Sequence, residues 1–498
     1  MKKNKVILVI CDGMGYRQEK EHNAMTAART PNLDNFYANF PFAVLGASGE
    51  DIGLPDGQMG TSEANHLVIG AGRIIYQNLV KINKSMQNGE ISKNPAILEA
   101  FEHVKRHNSV LHIKGIASTG GVHGHIEHIK ALIKAAKQAG VKDIMLHLFT
   151  DGRDTAPKSA KIFIEDLENF LKAENIGKIA SIGGRYFGMD RDNNDDRTAR
   201  HFEIMTTNEN GSFESALEAI EHSYRKGISD EFIEPAKIKD AGCVSANDAV
   251  IFANFRSDRA KQLAHKFKNS KIENLKYVAM TKYDDELDVR VAFEPEEIKN
   301  TLSEVISQNG LRQLKVTETE KFTHLTFFFN AQRYEPEKGE DRILIESSKD
   351  VRTHDEKPEM KAKEIVKKIK EAMESEKYDF IATNLVNCDM VGHSGNVPAI
   401  IKAVESVDDA LGRIAELSKK HGYDLLITAD HGNAEENFDT VSGQPLTSHT
   451  LNPVPLILIS ERYKKLNKNT GFLDGVAPTI LDLFGLKKPK EMTGESFI

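Results

Sequence analysis

The sequence predicts an α/β protein built on a mainly parallel sheet, with one domain interrupted by another. Three observations lead there. Short apolar runs alternate with amphipathic stretches through almost all of the 498 residues, the pattern of repeated βαβ units. Polar motifs follow the apolar runs again and again, as expected where ligands bind at the carboxyl ends of parallel strands. Those motifs fall into two chemical sets, one from the two chain ends and one from the middle.

Taken in order, Lys5 to Ile10 reads as a first buried strand that delivers Asp12. The basic start Lys2-Lys3-Asn4-Lys5 imitates a secretory signal, but the apolar run Val6 to Ile10 is too short for one. Gly53 to Gly60 forms a Gly-rich loop running into a helix start at Ser62. Ser109 to Ala117 leads to Gly120-Gly121-Val122-His123, and Ile126, Ile129, Ile133 and Ala136 then make a helical stripe. Ile144 to Phe149 leads to Asp151-Gly152-Arg153-Asp154, Ile179 to Ile182 to Gly183-Gly184-Arg185, and Ala249 to Phe252 to Asn254 through Arg259. Tyr378 to Leu385 delivers Asp389 and His393. Val397 to Lys420 is one packed helix with a stripe of Ile400, Val404, Val407, Leu411, Ile414 and Leu417. Tyr423 to Thr428 delivers Asp430 and His431. Apolar runs such as Val454 to Ile459 fall far below the ~18 residues of a membrane span.

The crossings between domains are placed near Gln77 to Asn83 and near Asp284 to Glu297, polar stretches without strong pattern. The expected division is 1–77 with 295–498, and an inserted 78–294.

Composition narrows the function. Lys and Arg number 66 against 74 Asp and Glu, a net −8, whereas a general nucleic-acid binder needs basic excess. Hydrophobic residues at 40% and charged residues at 28% exclude a disordered or collagenous chain. Cys11, Cys243 and Cys388 include no CxxC pair and cannot form a disulfide framework, which fits a reducing cytoplasm.

Asp389 and His393 stand four apart, and Asp430 and His431 are adjacent. Either pair alone is more often a cap, a solvated pair or a packed histidine. Convergence changes the odds, because Asp12, Asp389 and Asp430 all follow apolar runs and buried carboxylates repel unless a cation joins them. Carboxylate and imidazole without thiolate suit manganese or zinc first, then magnesium or cobalt. Cys11 and Cys388 read as small buried residues. Ser62 is either a helix N-cap or a hydroxyl that a metal activates as a nucleophile for phosphorus. Arg153, Arg185, Arg191, Arg256 and Arg259 lie on separate strand-end loops and could gather into an anion site, the plainer reading being pairs with Asp190, Asp192 or Asp258. His123-Gly-His125-Ile-Glu-His128 could form a separate metal site, a weaker reading than a strand-end His123 with His125 and His128 on a helix's polar face.

Together the motifs resemble the cofactor-independent (2,3-bisphosphoglycerate-independent) phosphoglycerate mutases of the alkaline phosphatase superfamily, over nearly the whole chain. The matching pieces are CDGMG at Cys11–Gly15, GLPDGQMGTSEANHLVIGAGR at Gly53–Arg73, GGVHGH, TDGRDT, GGRYFGMDRDN, FANFRSDRA, ETEKFTHLTFFFN at Glu318–Asn330, NCDMVGH, TADHGN, SHT and VAPTILDL. The resemblance implies an alkaline-phosphatase-like α/β domain made of both chain ends, with a smaller α/β transferase domain inserted. It implies two manganese ions, zinc, cobalt or magnesium being substitutes. One would be held by Asp389, His393 and His449, the other by Asp12, Ser62, Asp430 and His431. Catalytic roles fall on Ser62, Asp154 and Lys321, and substrate contacts on His123, Arg153, Asp154, Arg185, Arg191, Arg256, Arg259 and Lys321. His449 and Lys321 come from the resemblance alone.

The implied reaction interconverts 2- and 3-phosphoglycerate in glycolysis and gluconeogenesis through phosphoserine at residue 62, with no need for added 2,3-bisphosphoglycerate. Glycerate reorients before the phosphoryl group returns, Asp154 exchanges protons with its hydroxyls, and the inserted domain acts as a lid against water. A monomeric cytoplasmic isomerase is expected, acting on a small molecule, with no nucleic-acid or membrane partner. The main alternative is a metal-dependent phosphatase or sulfatase-type hydrolase of the same superfamily; a phosphopentomutase leaves the middle motifs unexplained, and a non-enzymatic phosphate binder does not need Ser62. The chain departs from the family's usual pattern at Thr61, Ala64 and Asn65 beside Ser62, at Gly124, and at Asp195-Asp196.

Overall fold

The inner strands of the two large sheets are buried on both faces, and their apolar runs are near-continuous for that reason. The computed structural model describes residues 4–498, so Lys2 and Lys3 of the basic start lie outside the described residues. The chain forms two units, residues 1–77 with 297–498, and residues 78–296.

In the first unit the opening strand Lys5–Cys11 lies in the middle of an eight-stranded sheet. It runs parallel to Phe380–Leu385 on one side and Tyr423–Thr428 on the other. Gln313–Glu318 and Glu340–Ile345 extend the parallel side, while Val454–Ile459 pairs antiparallel with Tyr423–Thr428. Phe42–Gly46 and Thr470–Phe472 complete the other edge. Register aligns the strand ends: Cys11 stands opposite Leu385 and Ile10 opposite Thr428, so three strands release their loops at the same level.

The helix Val397–His421 buries Ile400, Val404, Val407, Leu411 and Ile414. Gly422 ends it with φ of 72°, the left-handed turn that glycine adopts at a helix end. Its buried Asp408 accepts from the backbone N–H groups of Asn32 and Leu33, satisfying the start of the helix Pro31–Asn39.

The second unit has a seven-stranded sheet with Leu111–Ile116 between Ile144–Thr150 and Ala249–Phe252, all parallel. Lys178–Gly184, Lys276–Thr281 and Arg290–Phe293 add to it in parallel, and the short Ala236–Lys237 is an antiparallel edge. The stretches read as patternless crossings carry structure. Residues from Asn78 onward form the helix Asn78–Gln87, and Arg290–Phe293 is an edge strand. Only Val80 and Ile82 among the helix's apolar residues are buried, and the polar residues between them hide the stripe.

One face of this sheet holds an unusual set of buried polar groups. Asp248, His112, His147 and Ser181 form a hydrogen-bonded row, with contacts of 3.2, 2.9 and 2.8 Å. His201, from the helix Asp195–Thr206, is fully buried against Phe149, and among the described residues neither ring nitrogen has a hydrogen-bond partner. Burial lowers its pKa from 6.5 to about 3. The unfolded chain therefore binds a proton near pH 6.5 that the folded one refuses, so stability is complete above that pH and is lost as pH falls toward 3. Thermal unfolding across pH 7 to 4 checks this: the His201→Leu variant is expected to lose less of its melting temperature on acidification than the parent.

Candidate functional site

The order of the first sheet assembles the first cluster. Asp12 follows the opening strand, Asp389 lies in the short helix Asn387–Gly392 after Phe380–Leu385, and Asp430 and His431 follow Tyr423–Thr428. The backbone N–H of Asp389 donates to Asp12 O, and that of Asp12 to Leu385 O, each at 3.0 Å. Gly13 makes this approach possible: its φ is +73°, and a Cβ there would stand 2.7 Å from Asp389 Cα.

Ser62 is the first residue of the helix Ser62–Ala71, but it is not the cap. Thr61 caps the helix, its Oγ1 accepting from Ala64 N at 3.3 Å. The Ser62 hydroxyl, almost wholly buried, is thereby free of the capping bond. It lies 3.0 Å from His431 Nε2 and accepts from Lys321 Nζ at 2.7 Å. The same Nζ is 2.7 Å from Asp389 Oδ2 and 2.8 Å from Asp12 Oδ1.

Two groups of metal-type donors result: Asp389 with His393 and His449, and Asp12 with Asp430 and His431, the donor atoms within each lying within 4.8 Å of one another. The first group fits a divalent ion on its own hydrogen bonding. His393 Nδ1 donates to Thr447 O and His449 Nδ1 to Gly60 O, both at 2.7 Å. A neutral ring so bound presents its Nε2 lone pair, and both Nε2 atoms lie 3.1 Å from Asp389 Oδ1. Lone pairs facing a carboxylate oxygen call for a cation among them.

The second group is braced from behind. His66 Nδ1 donates to Ser62 O at 2.8 Å, and Asn384 Nδ2 donates to Asp12 Oδ2 at 2.7 Å while lying 3.1 Å from His66 Nε2. Asn65 Nδ2 donates to the carbonyls of Ala47 and Asp430.

Electrostatics divide the carboxylates. Burial, reinforced by the charge of Asp430, pushes Asp12 well above the usual carboxylate range. Burial raises Asp389 too, but the charge of Lys321 holds it well below that range. Burial disfavours the charge on Lys321, which Asp12, Asp389 and Asp430 more than restore. His431 is neutral near pH 7, burial pushing it down to about 4 against the pull of Asp430 and Asp389. Burial raises the thiols of Cys11 and Cys388, leaving them unreactive.

The second unit carries a cluster of the opposite sign. Arg185, buried, donates from Nη1 to Asp151 Oδ1 at 2.6 Å and to Asp154 Oδ2 at 2.5 Å. Asp151 is anchored by Ser118 Oγ at 2.6 Å and by the backbone N–H groups of Arg153 and Asp154. Arg259 donates to Met189 O at 3.0 Å. Burial, then Arg185, Arg191 and Arg153, press its pKa down, which marks these guanidinium groups as sharing one space. Arg153 reaches Glu231 at 3.3 Å, and Arg191 and Arg256 both reach Asp258, at 3.6 and 3.1 Å. Their side chains remain about half exposed. His123 lies 3.9 Å from Asp154 and 3.7 Å from Asp258, and burial and Arg185 lower its pKa to about 4. The cluster is therefore shaped for an anion.

Some sequence expectations need correction. Of the aspartates read as partners of the loop arginines, Asp258 pairs with Arg191 and Arg256, whereas Asp190 pairs with Arg197 and organises the turn to Asn194. His125 is the cap of the helix Ile126–Gln138, and His128 is buried on Asn83 at 2.8 Å, so neither lies on a polar helix face. Asp151, His66 and Asn384 touch candidate site residues, and sequence reasoning gives none of them a role. Asp151 adjoins two selected residues in TDGRDT, whereas Asn384 sits inside an apolar strand with no signal of its own.

Residues 4–488 match the metalloenzyme superfamily. A 2,3-bisphosphoglycerate-independent phosphoglycerate mutase of Clostridium botulinum is 46% identical over 510 aligned residues, spanning 100% of both chains. That of Methanosarcina barkeri, numbered 1, is 47% identical over 100% of this chain and 98% of its own. The crystal structure of Leishmania mexicana phosphoglycerate mutase at low cobalt concentration aligns with a TM-score of 0.55 and 29% identity, covering 100% of this chain and 98% of that one. With its donor groups and its likeness running end to end, the chain belongs to the metalloenzyme superfamily and, within it, to the 2,3-bisphosphoglycerate-independent phosphoglycerate mutases.

Proposed function

We propose that the chain interconverts 2- and 3-phosphoglycerate through a phosphorylated Ser62. The observation that carries this reading is the Ser62 hydroxyl, buried between His431 and Lys321 and beside two groups of metal donors. Asp389, His393 and His449 would hold one divalent ion, and Asp12, Ser62, Asp430 and His431 the other. The donor types suit manganese, with cobalt, zinc or magnesium as substitutes. Bound there, the ions would polarise phosphoryl oxygens and favour the deprotonated serine.

The chain's own residues account for the rest. Ser62 Oγ forms its bond to phosphorus as the bond from phosphorus to a glycerate oxygen breaks. Lys321 donates to Ser62 Oγ and would follow the negative charge onto the phosphoryl group. Burial of Ser62, Asp12 and Asp430 keeps water from the phosphoserine, which separates a mutase from a phosphatase. In the second unit the arginines and His123 would hold glycerate's carboxylate and the phosphoryl oxygens. Asp154, held by Arg185, would protonate the departing oxygen and take the proton from the hydroxyl that attacks next.

Three measurements test this. After incubation with phosphoryl-labelled 3-phosphoglycerate and rapid quenching, label should sit on Ser62; Ser62→Ala should take none and lose roughly 10⁴-fold or more in turnover. Arg153→Ala should slow the mutase reaction roughly 10- to 100-fold while raising the share of free phosphate among the products, since glycerate is held less well. Gly13→Ala forces a left-handed backbone costing about 1–2 kcal/mol and pushes on Asp389, so manganese binding followed by titration calorimetry should weaken.

A further inference from the structure

We propose that Glu435 is a positioning residue that sets the two candidate metal groups relative to each other. The inference rests on the two-metal reading and deepens it. Glu435 is fully buried, and among the described residues its carboxylate makes no ion pair with a lysine or arginine. Four donors satisfy it instead. Oε2 accepts from the backbone N–H groups of Gly15 at 3.0 Å and Asn433 at 2.8 Å; Oε1 accepts from Asn452 Nδ2 at 3.0 Å and from Thr450 Oγ1.

Three of these donors belong to loops that carry a candidate ligand. Gly15 lies three residues after Asp12, Asn433 two after His431, and Thr450 directly after His449. Asp12 and His431 serve one metal group and His449 the other. A single carboxylate thus ties together loops of both groups, while itself touching neither a candidate ligand side chain nor Ser62. The loops are shaped around it. A Cβ on Gly15 or on Gly432 would run into the Glu435 carboxyl group. Thr450 N donates to Gly432 O at 3.1 Å and Ala434 N to Gly13 O at 3.0 Å, which closes the same three loops on one another. The rings of His431 and His449 stack with centroids 3.6 Å apart, so a shift of either loop is felt across both groups.

The charge type matters as much as the shape. All four partners are donors, and a carboxylate offers only acceptors. A glutamine of the same size turns one NH₂ toward two of those donors and must lose them.

The test uses the full chain, stripped of metal by chelation and titrated with Mn²⁺ by calorimetry, with bound manganese counted by elemental analysis. The parent is expected to bind two ions per chain. Glu435→Gln is expected to bind Mn²⁺ roughly 10- to 100-fold more weakly and to lose kcat, which excess Mn²⁺ restores in part. Its KM for 3-phosphoglycerate should move by less than roughly threefold, because the residue does not touch substrate. Thr450→Val removes one of the four donors and is expected to weaken Mn²⁺ binding as well, by less than Glu435→Gln does. Unchanged Mn²⁺ affinity in Glu435→Gln, with a lower melting temperature of the metal-free protein, overturns the proposal in favour of a purely structural role. Should Glu435→Gln fail to fold, unchanged Mn²⁺ affinity in Thr450→Val overturns it instead. A parent chain that binds fewer than two ions overturns the two-metal reading itself, an outcome visible before any variant is made.

Discussion

Three carboxylates buried at the ends of adjacent parallel strands are the constraint on which the first unit depends. Parallel pairing sends the carboxyl ends of Lys5–Cys11, Phe380–Leu385 and Tyr423–Thr428 to the same edge, and the matched register puts Asp12, Asp389 and Asp430 side by side. Water cannot solvate them there, and unpaired buried charge is too unfavourable to persist. Lys321 supplies one positive charge from the next strand's end, and it touches two of the three carboxylates. The imidazoles beside them offer lone pairs. Acceptor character concentrated in this way suits a cation.

The second unit solves the opposite problem. Its strand ends gather arginines, and two aspartates hold the most buried of these, Arg185, from one side. Asp258 is shared between Arg191 and Arg256, so one carboxylate serves two guanidinium groups. Positive charge left over in this way is what a carboxylate or phosphoryl group would neutralise. The overall net charge of −8 conceals both concentrations, since it averages a negative cluster in one unit with a positive cluster in the other.

Departures from the family's usual pattern around Ser62 are absorbed locally. Thr61 still caps the helix and so keeps Ser62 free of that duty. Asn65 fills its position with an amide that binds the carbonyls of Ala47 and Asp430, fastening the helix that begins at Ser62 to the strand end of a candidate ligand. Gly124 stands where a Cβ would meet Ile116 at 2.8 Å and Asn254 at 2.9 Å, so a larger residue there requires its neighbours to move.

Much of this is legible in the chain alone. Near-continuous apolar runs such as Lys5 to Ile10 and Tyr423 to Thr428 are strands because both of their faces are covered, and a polar residue that ends such a run is placed at a sheet edge by covalent connection. Local pattern therefore suffices for the α/β class, the strand-end position of Asp12, Asp430 and the arginines, and the amphipathic helices between them. It cannot say which strand ends become neighbours. Asn384, His66 and Asp151 owe their roles to groups more than three residues away, in some cases hundreds of residues away, and nothing local distinguishes Asn384 from other strand residues. Whether Ser62 caps its helix or keeps its hydroxyl free turns on Thr61 one residue earlier, a choice of backbone geometry rather than of residue type. These outcomes belong to the folded chain, because strand order, register and burial set the distances between charges, and those distances are not written in any local stretch of residues.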